Sequence, residues 1–328
     1  MKNNRGIVLI SVLVIIFILI IVLYQITKIA NIEINTTQIL KNFFIAKHRA
    51  ISGLHIAEAI LILEKEKTKL ACDTLLSTWN NLNIVQGYLP DDINPEYLDL
   101  KIQDETSKIP INYLVDKKKG KIYVKVVKNL LVNELDISEN RADNIIRGIK
   151  NWINPKKYPL EETEIINPYY KDREYKSKNG TFETLGEMLL LPSVDEKIYY
   201  GNKYKMGLKD LFTVYSDDGL ININTCSRPI AMSLILNEVD QDKKNKYVDE
   251  ILKKRYDPFY KEILCDVKWI KKNMSEYKDI EIPYNILTTT SNYFKIISTG
   301  ISGSYNCTII KFVKRENKKL KTLYQIEY

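Results

Sequence analysis

The chain has 328 residues, 45% of them hydrophobic and 27% charged, with a net charge of +8. That length holds one membrane anchor and two ordinary domains, and the balance of apolar and charged residues excludes an intrinsically disordered chain. The mild basic excess suits an anionic membrane surface or nucleic acid and is diagnostic of neither. With two histidines, four cysteines and no glycine-rich phosphate loop, the usual nucleophile–base pairs are missing, so the chain reads as no enzyme.

The amino terminus is MKNNRG followed by IVLISVLVIIFILIIVLY. Ile7 to Leu23 carry no charge, and Ser11 is their one polar residue. Such a run lies at the lower edge of what spans a bilayer as a helix. Lys2 and Arg5 precede it, which keeps the short arm in the cytoplasm. A cleaved secretory signal would need small residues just past the apolar run, but bulky Tyr24-Gln-Ile-Thr-Lys28 follows. The basic leader ending in glycine resembles the class III signal of type IV pilins and pseudopilins. That resemblance implies cleavage after Gly6 by prepilin peptidase and methylation of the new terminus, Ile7. A plain uncleaved anchor is the alternative.

From Ile7 to Glu66 there is no proline, and Gly53 is the only glycine. Phe43, Ala46, Ala50, Leu54, Ala57 and Leu61 recur at helical intervals. Lys41, His48, Ser52, His55 and Glu66 fall opposite. The apolar helix therefore continues into an amphipathic one, about 90 Å in all for some sixty residues. His48 and His55 share the polar face, but a seven-residue spacing without a third ligand reads as solvated histidine rather than metal.

Further on, Leu98 to Ile111 alternate and turn at Glu105–Lys108, a strand and hairpin. Asn129 to about Tyr284 reads as mainly helical. Its clearest stretch places Ala142, Ile145, Ile146, Ile149 and Trp152 on one face and stops at Pro155. Shorter helices are expected at Thr184–Leu191, Arg228–Val239 and Lys246–Lys254, and Asp217–Asp218 before Gly219 reads as a hairpin turn. Strands return at Tyr293–Ser298, Cys307–Val313 and Thr322–Glu327, with turns at Gly300, Gly303 and Glu316–Lys319. Cys72, Cys226, Cys265 and Cys307 allow three disulfide pairings, and free buried thiols are an equal alternative.

Taken in order, Arg5-Gly-Ile-Val-Leu-Ile, ACDTLLSTW at 71–79, IQDETSKIPINYL at 102–114, GIKNWI at 148–153, Tyr169–Tyr170 before Tyr175-Lys-Ser-Lys-Asn179, FETLGEMLLLP at 182–192 and GLKDLFTVYSDDGLININT at 207–225 resemble the minor pseudopilin K subunit family of type II secretion. The resemblance implies an α+β fold: a pilin-like long N-terminal helix packed on a small antiparallel sheet, with an inserted mainly helical domain of SAM-like or helix-hairpin-helix-like form. The expected division is a leader at 1–6, a transmembrane part at 7–24, and stem plus first part of the head at 25–128. The inserted domain follows at 129–285, and closing strands at 286–328. The resemblance also implies a single pass through the inner membrane of a Gram-negative bacterium, with the head in the periplasm. There the chain would nucleate or cap the pseudopilus tip with minor pseudopilins I and J, and the major pseudopilin would add beneath.

Most pilins carry a glutamate at the fifth mature position, paired with the terminal amine of the subunit above. Ser11 stands there, as suits a subunit with nothing above it, because an unpaired acid in apolar surroundings is costly. No cofactor is required. The family's helical domain holds calcium, and Glu161, Glu162, Glu164 and Asp172 are the carboxylates that would serve, although Lys156 and Lys157 replace expected acids. The competing function is a DNA-binding pilin of a competence system, through hairpins at Leu135–Gly148 and Leu185–Tyr200. Their turns, Asp136-Ile-Ser-Glu and Pro192-Ser-Val-Asp, lack the phosphate-cradling glycine and add acids, so nucleic acid is not the expected partner.

Overall fold

The computed structural model describes residues 5–67, 72–80, 95–154, 156–158, 177–316 and 319–328. Helix α1 runs unbroken over Arg5–Lys67, about 95 Å at 1.5 Å per residue. Its amino-terminal half is bare among the described residues: the large apolar side chains from Ile7 to Leu40 are exposed. Burial starts at Ala46 and recurs at Ala50, Leu54, Ala57 and Leu61. Phe43, expected at the head of this stripe, is exposed.

That stripe lies on a four-stranded antiparallel sheet of order β1-β6-β7-β8, formed by β1 (Leu98–Asp104), β6 (Tyr293–Ser302), β7 (Tyr305–Glu316) and β8 (Lys319–Glu327). Small side chains on α1 bring helix and sheet very close. Gly300, expected in a turn, sits inside β6, paired with Leu98 and Cys307. A Cβ there would come 2.0 Å from the Ala46 carbonyl oxygen and 2.6 Å from the Ala50 nitrogen. Beside it, the Ser298 hydroxyl donates to the Ala50 carbonyl at 2.8 Å. The remaining core includes Trp79, edge-on to Phe294 with ring centres 5.4 Å apart.

A second core gathers residues from Ile109 to Leu287. It is built from β2 (Ile109–Pro110), α2 (Gly120–Asn129), α3 (Glu139–Ile153), α4 (Glu196–Tyr200), α5 (Leu208–Leu211), β3 (Phe212–Thr213), β4 (Ile221–Asn222), α6 (Arg228–Ser233), α7 (Gln241–Arg255), α8 (Trp269–Asn273) and β5 (Leu287–Thr288). On α3 the face read from the sequence is buried: Ala142, Ile145, Ile146, Ile149 and Trp152. Helix α7 starts well before Lys246, because Asp240 caps it by accepting from the backbone of Asp242 and Lys243.

Several local expectations fail for non-local reasons. The hairpin at Leu98–Ile111 does not form. Instead β1 pairs with β6, and β2 pairs in parallel with β3. Nor do β3 and β4 form a hairpin across Asp217–Asp218, since β4 pairs in parallel with β5. Gly219 is nevertheless required: its φ is +59°, and a Cβ would meet the Tyr113 ring at 2.3 Å. Helical structure begins at Gly120 rather than Asn129, since Tyr123, Val126 and Val127 present one buried face. Leu185–Leu190 is a 3₁₀ helix opened by a Thr184–Glu187 capping box, and α6 ends at Ser233 rather than Val239.

One disulfide forms, Cys72–Cys265, so neither a two-bridge set nor four free thiols is found. It ties the segment after α1 to the helical lobe across a sequence separation of 193. Cys226 and Cys307 are buried free thiols.

Candidate assembly surface and interlobe junction

Among the described residues, the large apolar side chains of the first half of α1 are uncovered. Ile7–Glu64 is one helix long and apolar enough to cross a membrane, and none of its most apolar window is buried. Gly6 and Ile7 lie in the first turns of α1, and Ile7 is exposed. Ser11 donates its hydroxyl to the Ile7 carbonyl at 2.8 Å. It therefore satisfies its own polarity inside the helix and needs no partner.

Where head and helical lobe meet, polar side chains converge out of water. Asp73 and Arg315 form a nearly buried ion pair at 2.5 Å. Asp73 also accepts from the Ser291 backbone at 2.8 Å. Asp104, at the end of β1, accepts from the hydroxyls of Ser291 and Thr225 and from the Thr106 backbone. Burial pushes its carboxyl up to about 6, against the pull of those hydroxyls and with the charge of Asp73 adding to the rise. Asn222 donates to Ser291 Oγ at 2.7 Å and to the Asp73 carbonyl at 3.1 Å. Asn224 donates to the Leu264 carbonyl at 2.8 Å, next to the disulfide, and accepts from the Trp269 indole at 3.1 Å.

Three of the segments quoted for the family resemblance meet in this network: 71–79 brings Asp73, 102–114 brings Asp104, and 207–225 brings Asn222, Asn224 and Thr225. Sequence reasoning picked out the segments and missed their joint role. Buried acids and amides carry no local periodic signal, so only their positions inside quoted segments pointed here. Among the described residues, Trp79 Nε1, Ser227 Oγ and Arg315 Nε at the junction are buried without a hydrogen bond. Each such group costs about 1–3 kcal/mol.

The other predicted sites stay apart. His48 and His55 remain on the outer face of α1, and His55 Nδ1 lies 3.4 Å from Glu58. Among the described residues no cluster of three or more His, Cys, Asp or Glu side chains could hold a metal ion. Glu161, Glu162, Glu164 and Asp172 lie outside the described residues. Upstream of them, Trp152 donates its indole N–H to Glu187 at 2.9 Å. At the two helical hairpins, Asp136 takes the left-handed conformation, with φ of 53°, and pairs with Lys205. Asp195 caps α4 and pairs with Arg141 at 2.9 Å.

No family model matches the chain. A relative, the type II secretion system protein K of Pseudomonas aeruginosa, is 24% identical over 255 residues, covering 76% of this chain and 72% of its own. Among solved structures, a chain in the crystal structure of the GspK-GspI-GspJ complex from the enterotoxigenic Escherichia coli type 2 secretion system superposes with a TM-score of 0.59. The match covers 89% of this chain and 99% of that one, at 17% identity. The resemblance to the pseudopilin K family is borne out. The long helix, antiparallel sheet and mixed α/β content are those of a K-like pilin fold. An apolar α1 fits a single-pass anchor.

Proposed function

We propose that this chain is a minor pseudopilin of a type II secretion system that sits at the tip of the pseudopilus, where it nucleates or caps the filament that drives protein export across the outer membrane. Its partners in this reading are minor pseudopilins I and J, the major pseudopilin beneath, and the prepilin peptidase that cuts after Gly6 and methylates Ile7. The single pass lies in the inner membrane and the head in the periplasm. Leader 1–6, membrane part 7–24, stem and head 25–128, inserted domain 129–285 and closing strands 286–328 are the corresponding units. Calcium on Glu161, Glu162, Glu164 and Asp172 belongs to the same proposal, since carboxylate oxygens are the ligands a hard cation takes.

The observation that carries the reading is the division of α1. Its head covers the helix from Ala46 onward, which leaves the preceding half bare for lipid and then for neighbouring stems. Within that half, Ser11 closes its hydroxyl on Ile7. No charge awaits the amine of a subunit above, so the first place in a filament costs this stem nothing.

Mass spectrometry of the protein purified from membranes tests the reading at its root. A mature chain beginning at N-methylated Ile7 is expected. A chain that keeps MKNNRG in cells possessing the peptidase would reduce it to a tethered domain. Co-purification of the region from about Asn31 onward with I and J tests the assembly, and recovery of each component alone would count against it.

A further inference from the structure

The helical lobe holds a cavity of about 450 Å³. Helix α7 gives it Tyr247, α8 gives Ile270 and Lys271, and the segment from Met274 to Tyr284 closes the rest. We propose that this cavity is a binding site for a tyrosine side chain of a partner polypeptide, whose uncharged ring enters the apolar floor and whose hydroxyl bonds to Tyr247.

The walls are held by bonds of their own. The Glu281 N–H donates to the Asn237 side-chain carbonyl at 2.9 Å, and the Glu281 carbonyl accepts from the Leu236 N–H at 2.9 Å. Asn237 also donates to the Asp279 carbonyl at 2.7 Å, and Lys243 holds the Asp279 carboxylate at 2.7 and 2.8 Å. These bonds pin the outer wall to the segment after α6 and to the first turn of α7. The space behind it stays open, at a volume within the roughly 300–1,000 Å³ of ligand pockets.

Tyr247 points to an occupant. It is 3% exposed and lines the cavity, and among the described residues its hydroxyl has no hydrogen-bond partner. A buried tyrosine hydroxyl ordinarily finds one. Burial, with Tyr284 nearby, pushes the Tyr247 phenol up, so it stays protonated and can donate or accept. A ligand phenol can answer it in either direction, whereas an indole only donates and a phenyl does neither. The other walls favour a ring. Tyr277 is tilted by 56° against Tyr247 with ring centres 5.2 Å apart, and the Met274 thioether is buried in the same lining. Edge-on aromatic pairs and sulfur at a ring edge both add to area burial. Ile270, Ile280 and Ile282 offer no counter-charge, so a charged group brought onto that floor would be costly. Outside the floor the signs balance. Lys271, Lys278 and Glu281 are exposed at the rim, Glu276 is exposed beside Tyr277, and Lys243 neutralises Asp279. Such a rim selects no net charge and suits the paired C=O and N–H groups of the peptide backbone that carries a tyrosine.

The test uses the full-length protein in detergent micelles, with isotope-labelled methionine methyl groups that give each of the five methionines its own signal. N-acetyltyrosinamide is the probe, and the phenylalanine and tryptophan amides serve as comparison. The tyrosine amide is expected to shift Met274 and no other methionine. It should bind at least tenfold tighter than the phenylalanine amide, equivalent to about 1.4 kcal/mol, and tighter than the tryptophan amide. Tyr247→Phe keeps the ring and removes the hydroxyl. It is expected to weaken the tyrosine amide about tenfold and to leave the phenylalanine amide unchanged, which shows that the cavity survives the substitution. The proposal is overturned by a tyrosine amide that binds no tighter than the comparison amides, or by a shift at another methionine instead of Met274. Unchanged tyrosine affinity in the variant, or an equal loss for the tyrosine and phenylalanine amides, would also overturn it. So would a response to free para-cresol but not to the tyrosine amide, or no response at millimolar probe.

Discussion

Arg315 and Asp73 face each other at 2.5 Å with almost no exposure, and Arg315 donates a further bond to the Ser291 carbonyl at 2.7 Å. Strand β7 is thereby locked to the segment that follows the stem, one residue from the disulfide at Cys72. Removing one partner strands the other charge in a dry site. Asp73→Asn and Arg315→Met are each expected to lower stability by about 3–5 kcal/mol, measured by denaturant unfolding, while the double variant should recover part of the loss.

Asp104 predicts a pH dependence with an unusual sign. Its native carboxyl titrates near 6, above the ordinary aspartate value of about 3.9. Between about pH 4 and 6 the folded protein therefore holds a proton that the unfolded chain has released. Stability from this group falls as pH rises through that window and stays low above it. Asp104→Asn should flatten the slope and raise stability at pH 7 to 8 by on the order of 2–3 kcal/mol. Thermal unfolding of both proteins from pH 4 to 8 would check it; a parallel pair of curves would refute the assignment.

Gly300 marks the closest approach of stem and sheet. Alanine there must push the Ala46–Ala50 backbone away from a 2.0 Å overlap. Gly300→Ala is expected to cost about 1–3 kcal/mol through overpacking. The loss should come with faster hydrogen exchange in β6 than in α3, because the damage falls on the head core and not on the helical one.

The disulfide joins the lobes, so its removal should loosen their junction more than either core. Cys265→Ser is expected to cost about 2–5 kcal/mol, read by chemical denaturation. In the native protein, alkylation followed by mass spectrometry should leave Cys226 and Cys307 unmodified, because both are buried.

What was legible in the sequence was whatever repeats locally. The stripe from Ala46 to Leu61 and the face of α3 announce themselves by a period of 3.6, because one side of the helix must leave water, and the three closing strands by their β-branched and aromatic residues between turns. Helix α2 was missed because its valines and tyrosine resemble a strand, and only the buried Tyr123, Val126 and Val127 override that preference. The hairpin after β1 was read wrongly because a turn in the sequence does not say which strand is the partner.

The amino-acid order alone determined a charge-free run, the basic residues Lys2 and Arg5 ahead of it, a neutral Ser11 and a continuous helical rod, since these depend on neighbours within a few residues. Tertiary structure decided that β1 joins β6, that Cys72 takes Cys265, and that Asp104 lies dry beside Ser291, 187 residues away. Such choices depend on which distant groups share one desolvated volume. Burial sets the cost of a charge and the worth of a hydrogen bond there, and no local pattern encodes burial of that kind.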